Sequence, residues 1–238
     1  MPNIKAYFEN LIEQYNDVSD DSTAHLLLQI KPGSVIAEIE VWKELAKTSD
    51  ETVSDISFSE LEDYEWAKDS IEALAKSGYI NGKGDTKFAP GDSITREEFV
   101  AMIMRVFDFN KGIAGSDTFQ DVSASDWYAE YVGGAVETGI ITGIGNTVFG
   151  AGTNITRQDA ATVIIRAVDA AGKLFVPKKS AMAFTDVNLI DDYAYSSITE
   201  LTRAGVINGV SADKFAPLEN LTRAEAAVML MRTIINMQ

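Results

Sequence analysis

Ile94-Thr95-Arg96-Glu97-Glu98 returns as Ile155-Thr156-Arg157-Gln158-Asp159 and again as Leu221-Thr222-Arg223-Ala224-Glu225. Three copies of one helix start make this a repeat protein. In each copy threonine stands at the N-cap and can accept from the amide three residues on. Glu98, Glu225 or the shorter Asp159 can then reach back to close a capping box. An apolar run follows every copy: Phe99, Val100, Ile103, Val106 and Phe107; Ala160, Val163, Ile164 and Ala167; Ala226, Ala227, Leu230 and Ile234. Helices this apolar belong in an interior, and a single repeat cannot bury them alone.

The arginine at the first helical position opposes the helix macrodipole, at a cost of a few tenths to about 1 kcal/mol, yet all three copies carry it. Helix N-termini with free amides are anion sites, and a guanidinium beside them adds a bidentate fork suited to a carboxylate or phosphate. Arg96, Arg157 and Arg223 are therefore candidate ligand residues. The alternative is that each pairs with a carboxylate of the neighbouring repeat and holds the repeats together.

Working outward from these starts, the chain can be laid on itself from Phe58 onward. The three threonines lie 61 and then 66 residues apart, and the difference falls in the connection 170–183. Each unit opens with an aromatic and an acidic residue: Phe58-Ser59-Glu60, Phe119-Gln120-Asp121 and Phe184-Thr185-Asp186. Trp66, Trp127 and Tyr193 follow and begin a predicted helix, which ends twelve residues later at Gly78, Gly139 or Gly205. Glycine there suits a left-handed C-cap. Asn81-Gly82, Thr142-Gly143 and Asn208-Gly209 start a tight loop leading to Phe88, Phe149 and Phe215. Seven residues on comes the Thr-Arg helix, and nine residues beyond its first arginine stands a second: Arg105, Arg166 and Arg232. Every unit is helix, glycine loop, helix.

Ahead of the repeats, Ile4, Tyr7, Phe8, Leu11, Ile12 and Tyr15 mark one face of a predicted helix, and Ser34 can cap another. Residues 1–55 show no copy of the repeat and read as an adaptor or the tail of a preceding domain. The repeats themselves divide as 56–115, 116–178 and 179–238.

Composition narrows the chemistry. Among 238 residues, 36 acidic side chains stand against 20 basic ones, for a formal charge of −16. That argues against nucleic-acid binding and against a polybasic membrane surface, so an anionic partner has to be held by local sites working against the overall field. Without cysteine there is no disulfide framework, thiolate zinc site or cysteine nucleophile. No window of 18 apolar residues suggests membrane insertion. No leader precedes the first predicted helix, so an extracellular protein is expected to be represented here by a fragment. His25, the single histidine, stands beside Leu26-Leu27-Leu28 and reads as structural. Paired acids such as Glu60, Glu62 and Asp63 or Asp191 and Asp192 could suggest a hydrolase, but in so acidic a chain they read as solvated surface. No cofactor or metal is expected.

The aromatic-acidic opening, Trp66-Ala67, Gly78-Tyr79-Ile80-Asn81-Gly82, Phe88-Ala89-Pro90 and Thr222-Arg223-Ala224-Glu225 together resemble the surface-layer homology (SLH) domain, usually present as three tandem copies. The resemblance covers about residues 56 to 238. It implies an all-α fold in which three repeats form one pseudo-threefold unit, with the Thr-Arg helices in a central bundle and grooves between repeats. It also implies non-covalent anchoring of a bacterial surface protein to the cell wall, through secondary wall polysaccharide ending in pyruvylated N-acetylmannosamine. No enzymatic activity is implied.

Under this resemblance Arg96, Arg157 and Arg223 would meet the ketal carboxylate. Trp66, Trp127 and Tyr193 would cover sugar faces, with core packing as the alternative. Gly82, Gly143 and Gly209 would let the ligand approach the backbone, or else serve only a loop with positive φ. Asp121 and Asp186, the acids of the openings, complete the expected site. Departures in the second repeat (Gln158-Asp159, Thr142, Gly150-Ala151), Glu60 in the first and Tyr193 in the third suggest that not all grooves bind. The competing reading is a structural or self-assembly module of a surface layer that binds protein partners.

Overall fold

The computed structural model describes residues 58–84, 86–112, 118–145, 147–178 and 184–238. The helices expected over residues 4–16 and after Ser34, with His25 between them, lie outside the described residues.

Among the described residues the fold is helical. Six α-helices follow in order: α1 Glu65–Lys76, α2 Arg96–Val106, α3 Ala129–Glu137, α4 Arg157–Ala170, α5 Asp192–Ala204 and α6 Arg223–Asn236. The even-numbered helices are the Thr-Arg helices, and each starts where its motif dictates. Thr95 and Thr222 accept from the amides of Glu98 and Glu225, whose carboxylates bind the threonine amides in return, closing both capping boxes. The second repeat departs from the expected box. Thr156 accepts from the Asp159 amide, but the Asp159 carboxylate takes the Thr156 hydroxyl at 2.8 Å instead of its backbone N–H. Aspartate is one methylene too short for the full reach.

Gly78, Gly139 and Gly205 end α1, α3 and α5 with φ of 73°, 74° and 81°, the left-handed caps that the spacing predicts. Helix α3 starts two residues after Trp127, so this tryptophan precedes its helix rather than opening it.

The repeats are joined by backbone at their centre. Ile94 N–H donates to Leu221, Leu221 N–H to Ile155, and Ile155 N–H to Ile94, at 2.9, 3.0 and 3.1 Å. The three residues just ahead of the Thr-Arg threonines thus close a ring, with one donor and one acceptor from each repeat. All three side chains are buried. Isolated bridges Ser93 with Thr222, Thr95 with Asn154 and Thr156 with Asn220 flank it.

Packing follows the same cycle. Helix α3 lies against α2, α5 against α4, and α1 against α6, while α2 touches both α4 and α6. The first helix of each repeat therefore packs on the Thr-Arg helix of the repeat before it, and the last repeat closes onto the first. Phe88, Phe149 and Phe215 are fully buried. Each pairs with the phenylalanine that opens its own unit, Phe58, Phe119 or Phe184, at centroid distances of 5.4, 5.7 and 5.8 Å. No described helix is long and apolar enough to cross a membrane.

Candidate functional site

The motif arginines are buried, with only 8%, 4% and 2% of Arg96, Arg157 and Arg223 exposed. Each lies over the loop phenylalanine of the next repeat in the cycle: Arg96 over Phe149 at 5.3 Å, Arg157 over Phe215 at 5.1 Å and Arg223 over Phe88 at 4.6 Å. A guanidinium over a ring face is favourable and adds to its other bonds.

Those bonds run mostly to backbone. Arg223 donates Nε to the Phe88 carbonyl at 2.8 Å and Nη2 to Asn81 at 2.7 Å, while Nη1 stands 3.4 Å from the Glu98 carboxylate. Arg157 donates Nε to the Phe215 carbonyl at 2.8 Å and pairs with Glu225 at 2.5 Å. Arg96 departs from the pattern. Its Nη2 reaches the Thr142 carbonyl at 2.9 Å, but its buried Nε has no hydrogen-bond partner among the described residues. It makes no described ion pair either, because Asp159, the counterpart of Glu98 and Glu225, is held by Thr156 and by the Tyr193 hydroxyl at 2.7 Å. Burial lowers the pKa of Arg96 and of Arg223 from the ordinary value; at Arg223 the nearby Glu98, Asp92 and Glu60 oppose the shift.

The expectation of free amides at these helix starts is corrected. The amides of Arg96, Arg157 and Arg223 donate to the carbonyls of Thr153, Glu219 and Asp92, and those of Gln158 and Ala224 donate to Pro217 and Pro90. Neighbouring backbone already fills the space an anion would need, since buried N–H groups seek the nearest acceptor. Gln158 is explained by the same packing, because it exchanges two bonds with Asp191, to its carboxylate at 2.7 Å and from its amide at 3.1 Å.

The acids of the openings act on the loops. Asp121 accepts from the amides of Phe149, Gly150 and Ala151 at 2.7–2.9 Å. Asp186 accepts from Phe215 and Ala216 at 3.0 and 2.8 Å. Glu60 takes the same part in the first repeat, accepting from Phe88 and Ala89. Burial would raise the pKa of Asp121 and Asp186, but these backbone amides outweigh it and leave both below the usual value. The clasp holds Ala89 and Ala216 in left-handed backbone, φ 57° and 58°, where the second repeat has Gly150.

The glycine expectation is refined. Of Gly82, Gly143 and Gly209, only Gly209 has positive φ, 84°. At Gly82 the demand is steric: an added Cβ would stand 2.5 Å from the Lys87 carbonyl and 2.8 Å from the Phe58 ring. Gly143 is closed in likewise by the Val148 carbonyl and Phe119, and Gly209 by the Lys214 carbonyl and Phe184.

Around these residues the surface opens into grooves to which all three repeats contribute. One cavity of about 290 Å³ is lined by Trp66 of the first repeat, Arg157 of the second, and Gly209, Glu225, Met229 and Arg232 of the third. A second, of about 200 Å³, is lined by Gly82, Glu98, Met102 and Arg105 of the first repeat, Trp127 of the second and Arg223 of the third. The two arrangements correspond position by position. Trp66 and Trp127 are 58% and 57% exposed, so their indoles wall the cavities instead of filling the core. The counterpart Tyr193 is half exposed and tied by its hydroxyl to Asp159; partial burial, and then this bond to Asp159, push its pKa up.

Of the residues the sequence singles out, Trp66, Trp127, Gly82, Gly209, Arg157 and Arg223 line the two described cavities, while Tyr193, Gly143, Arg96, Asp121 and Asp186 line neither. Sequence reasoning did not single out Arg105, Arg232, Met102 or Met229. The signal for the second arginines is their recurrence nine residues beyond each motif arginine, but spacing carries no statement of which way a helix faces.

Comparison with known proteins bears on the whole arrangement. The family model described as S-layer homology domain matches residues 62–100, 118–161 and 183–227. The chain is 35% identical over 176 residues to an amylopullulanase of Thermoanaerobacterium thermosulfurigenes, covering 74% of this chain and 9% of the relative. It is 34% identical over 175 residues to exoglucanase XynX of Acetivibrio thermocellus, covering 74% and 16%. It is 28% identical over 174 residues to the surface-layer 125 kDa protein of Lysinibacillus sphaericus, covering 72% and 14%. The chain thus spans less than a fifth of each of these relatives. With three matched segments over most of its described length, each carrying the same capped Thr-Arg helix and clasped phenylalanine loop, the chain belongs to the S-layer homology domain family.

Proposed function

We propose that this chain anchors a larger bacterial surface protein to the cell wall without a covalent bond, by binding wall polysaccharide that carries a pyruvyl ketal in the grooves between repeats. Three relatives of different kinds, two named as glycan-acting enzymes and one as a surface-layer protein, share this one module. A module common to proteins with different work is better suited to placing them than to performing a reaction.

The carrying observation is the composition of the grooves. Each described cavity joins an exposed tryptophan, a glycine loop and two arginines against one glutamate, in a chain whose formal charge is −16. Indole faces stack on sugar rings, and guanidinium groups in a partly dry cleft favour a carboxylate over a neutral substituent. Cavities of this size suit a terminal sugar. Trp66, Trp127 and the glycine loops at Gly82 and Gly209 contact the ligand in this reading, with Arg157 and Arg223 as the positive floor. Arg96, Tyr193 and Gly143 form the third, modified site. Asp121 and Asp186 serve by holding the loops in shape. The chain itself carries out no reaction.

The test is co-sedimentation of the chain with purified wall sacculi that retain their secondary polysaccharide and with sacculi stripped of it by hydrofluoric acid. Binding to the first and not to the second is expected; equal binding to both would reject the reading.

A further inference from the structure

We propose that Arg105 and Arg232, nine residues beyond the motif arginines, are the side chains that receive the anionic group of the ligand in the two grooves. The inference rests on the anchoring reading above and assigns its central contact to residues other than the motif arginines.

The motif arginines have few donors left for a ligand. Arg223 spends Nε, Nη1 and Nη2 on Phe88, Glu98 and Asn81. Arg157 spends Nε on Phe215 and Nη1 on Glu225. Each also has its charge matched by a neighbouring glutamate. A guanidinium has five N–H donors, and those already shared with a carbonyl or a carboxylate are poorly placed to attract a second anion.

The second arginines stand in the opposite condition. Arg105 donates Nε to the Tyr131 hydroxyl at 3.0 Å and lies 4.9 Å from that ring's centroid. Its two terminal nitrogens have no hydrogen bond and no ion pair among the described residues. Tyr131 thus fixes the side chain and leaves its fork available. Arg232 makes one long contact, Nη1 to the Val206 carbonyl at 3.4 Å, and likewise no ion pair among the described residues. Burial alone lowers its pKa, with no acid to oppose the shift, in contrast to Arg223. A half-buried cation without a counter-ion gains more from an incoming carboxylate than one already paired.

Both residues line the cavities themselves, Arg105 with Trp127 and Met102, Arg232 with Trp66 and Met229. With Glu98 balancing Arg223 and Glu225 balancing Arg157, the net positive charge of each groove resides on its second arginine. The ligand class is an anionic saccharide whose carboxylate meets this fork while a sugar face lies on the indole.

The experiment is calorimetric titration of the whole chain with the methyl glycoside of pyruvylated N-acetylmannosamine and with the same glycoside lacking the ketal. Arg105→Gln and Arg232→Gln are compared with the parent, singly and together, alongside Arg105→Lys and Arg232→Lys. Each glutamine substitution is expected to weaken ketal binding in its groove by roughly tenfold or more, the scale of one hydrogen bond to a charged group. Affinity for the neutral sugar stays within about twofold, and lysine restores part of the loss. A double glutamine variant that keeps the parent's preference for the ketal overturns the assignment, as does equal loss of both sugars with no rescue by lysine. A parent that shows no preference for the ketal removes the anchoring reading and this inference with it, and the parent titration alone reveals that.

Discussion

Arg223 donates its Nε to the carbonyl of Phe88, 135 residues earlier in the chain, at 2.8 Å. The bond closes the last repeat onto the first, and Arg157 with Phe215 repeats it between the second and third. These arginines are therefore structural ties whatever else they do, and the two roles separate by energy.

Replacing Arg223 with alanine leaves Glu98 without its ion-pair partner and empties the space over Phe88. Removal of one member of a buried pair costs about 3–5 kcal/mol, and partial exposure of Glu98 places this case toward the lower end. Arg96→Ala, which breaks no ion pair among the described residues, should cost at least about 1 kcal/mol less. Urea unfolding of the two variants checks the order. Equal losses would mean that the carboxylates add nothing to the ties.

Asp121 and Asp186 make stability depend on acid. Their pKa values are depressed in the folded state, so the stability they contribute is full above the ordinary aspartate value of about 3.9 and is lost as pH falls through the lower folded values. Their contribution should be level from pH 7 to 5 and fall away below about pH 4. Asp121→Ala should destabilise by about 1–3 kcal/mol at neutral pH and flatten the acid limb of the thermal-melting profile. A variant whose acid limb matches the parent's would show that the loop amides find other acceptors.

Gly82→Ala forces a methyl group against the Lys87 carbonyl and the Phe58 ring. Both neighbours belong to the loop and its clasp, so the change should lower the melting temperature by several degrees, the scale of about 1–3 kcal/mol for an overpacked site. Gly84→Ala, where an added Cβ meets nothing within 4 Å, is the matched control and should be near neutral. A reversal of this pair in differential scanning calorimetry would contradict the loop geometry.

Trp66 and Trp127 behave in the opposite way to the arginines. More than half of each is exposed, so alanine in their place should change stability by less than about 1 kcal/mol. Binding of wall polysaccharide should fall at least tenfold when both are replaced, because each cavity loses its indole wall. Fluorescence-monitored unfolding and a binding isotherm on the same preparations separate the two effects.

Much of this fold is legible in the sequence because its signals are local. Thr95, Thr156 and Thr222 declare helix starts through N-cap chemistry that needs only the next three residues, and Gly78, Gly139 and Gly205 declare the ends. The tryptophans, glycines and motif arginines recur at fixed spacing, which is enough to nominate them. What the sequence does not show is who meets whom around the cycle. That α1 packs on α6 follows from closure of the ring through Ile94, Ile155 and Leu221, a relationship across more than a hundred residues with no local mark. The ties that Arg157 and Arg223 make to the main chain are equally hidden, since carbonyls such as those of Phe215 and Phe88 have no side-chain signature. The same holds for the filled amides, which read as vacant until the neighbouring loop is in place.

The most direct test is a titration of the whole chain with purified secondary wall polysaccharide before and after removal of its pyruvyl ketals by mild acid, at constant ionic strength. A loss of affinity of at least tenfold on removal of the ketals is predicted, with a steeper dependence on salt for the intact polymer. Undiminished binding of the stripped polymer, with the same salt dependence, would contradict the account.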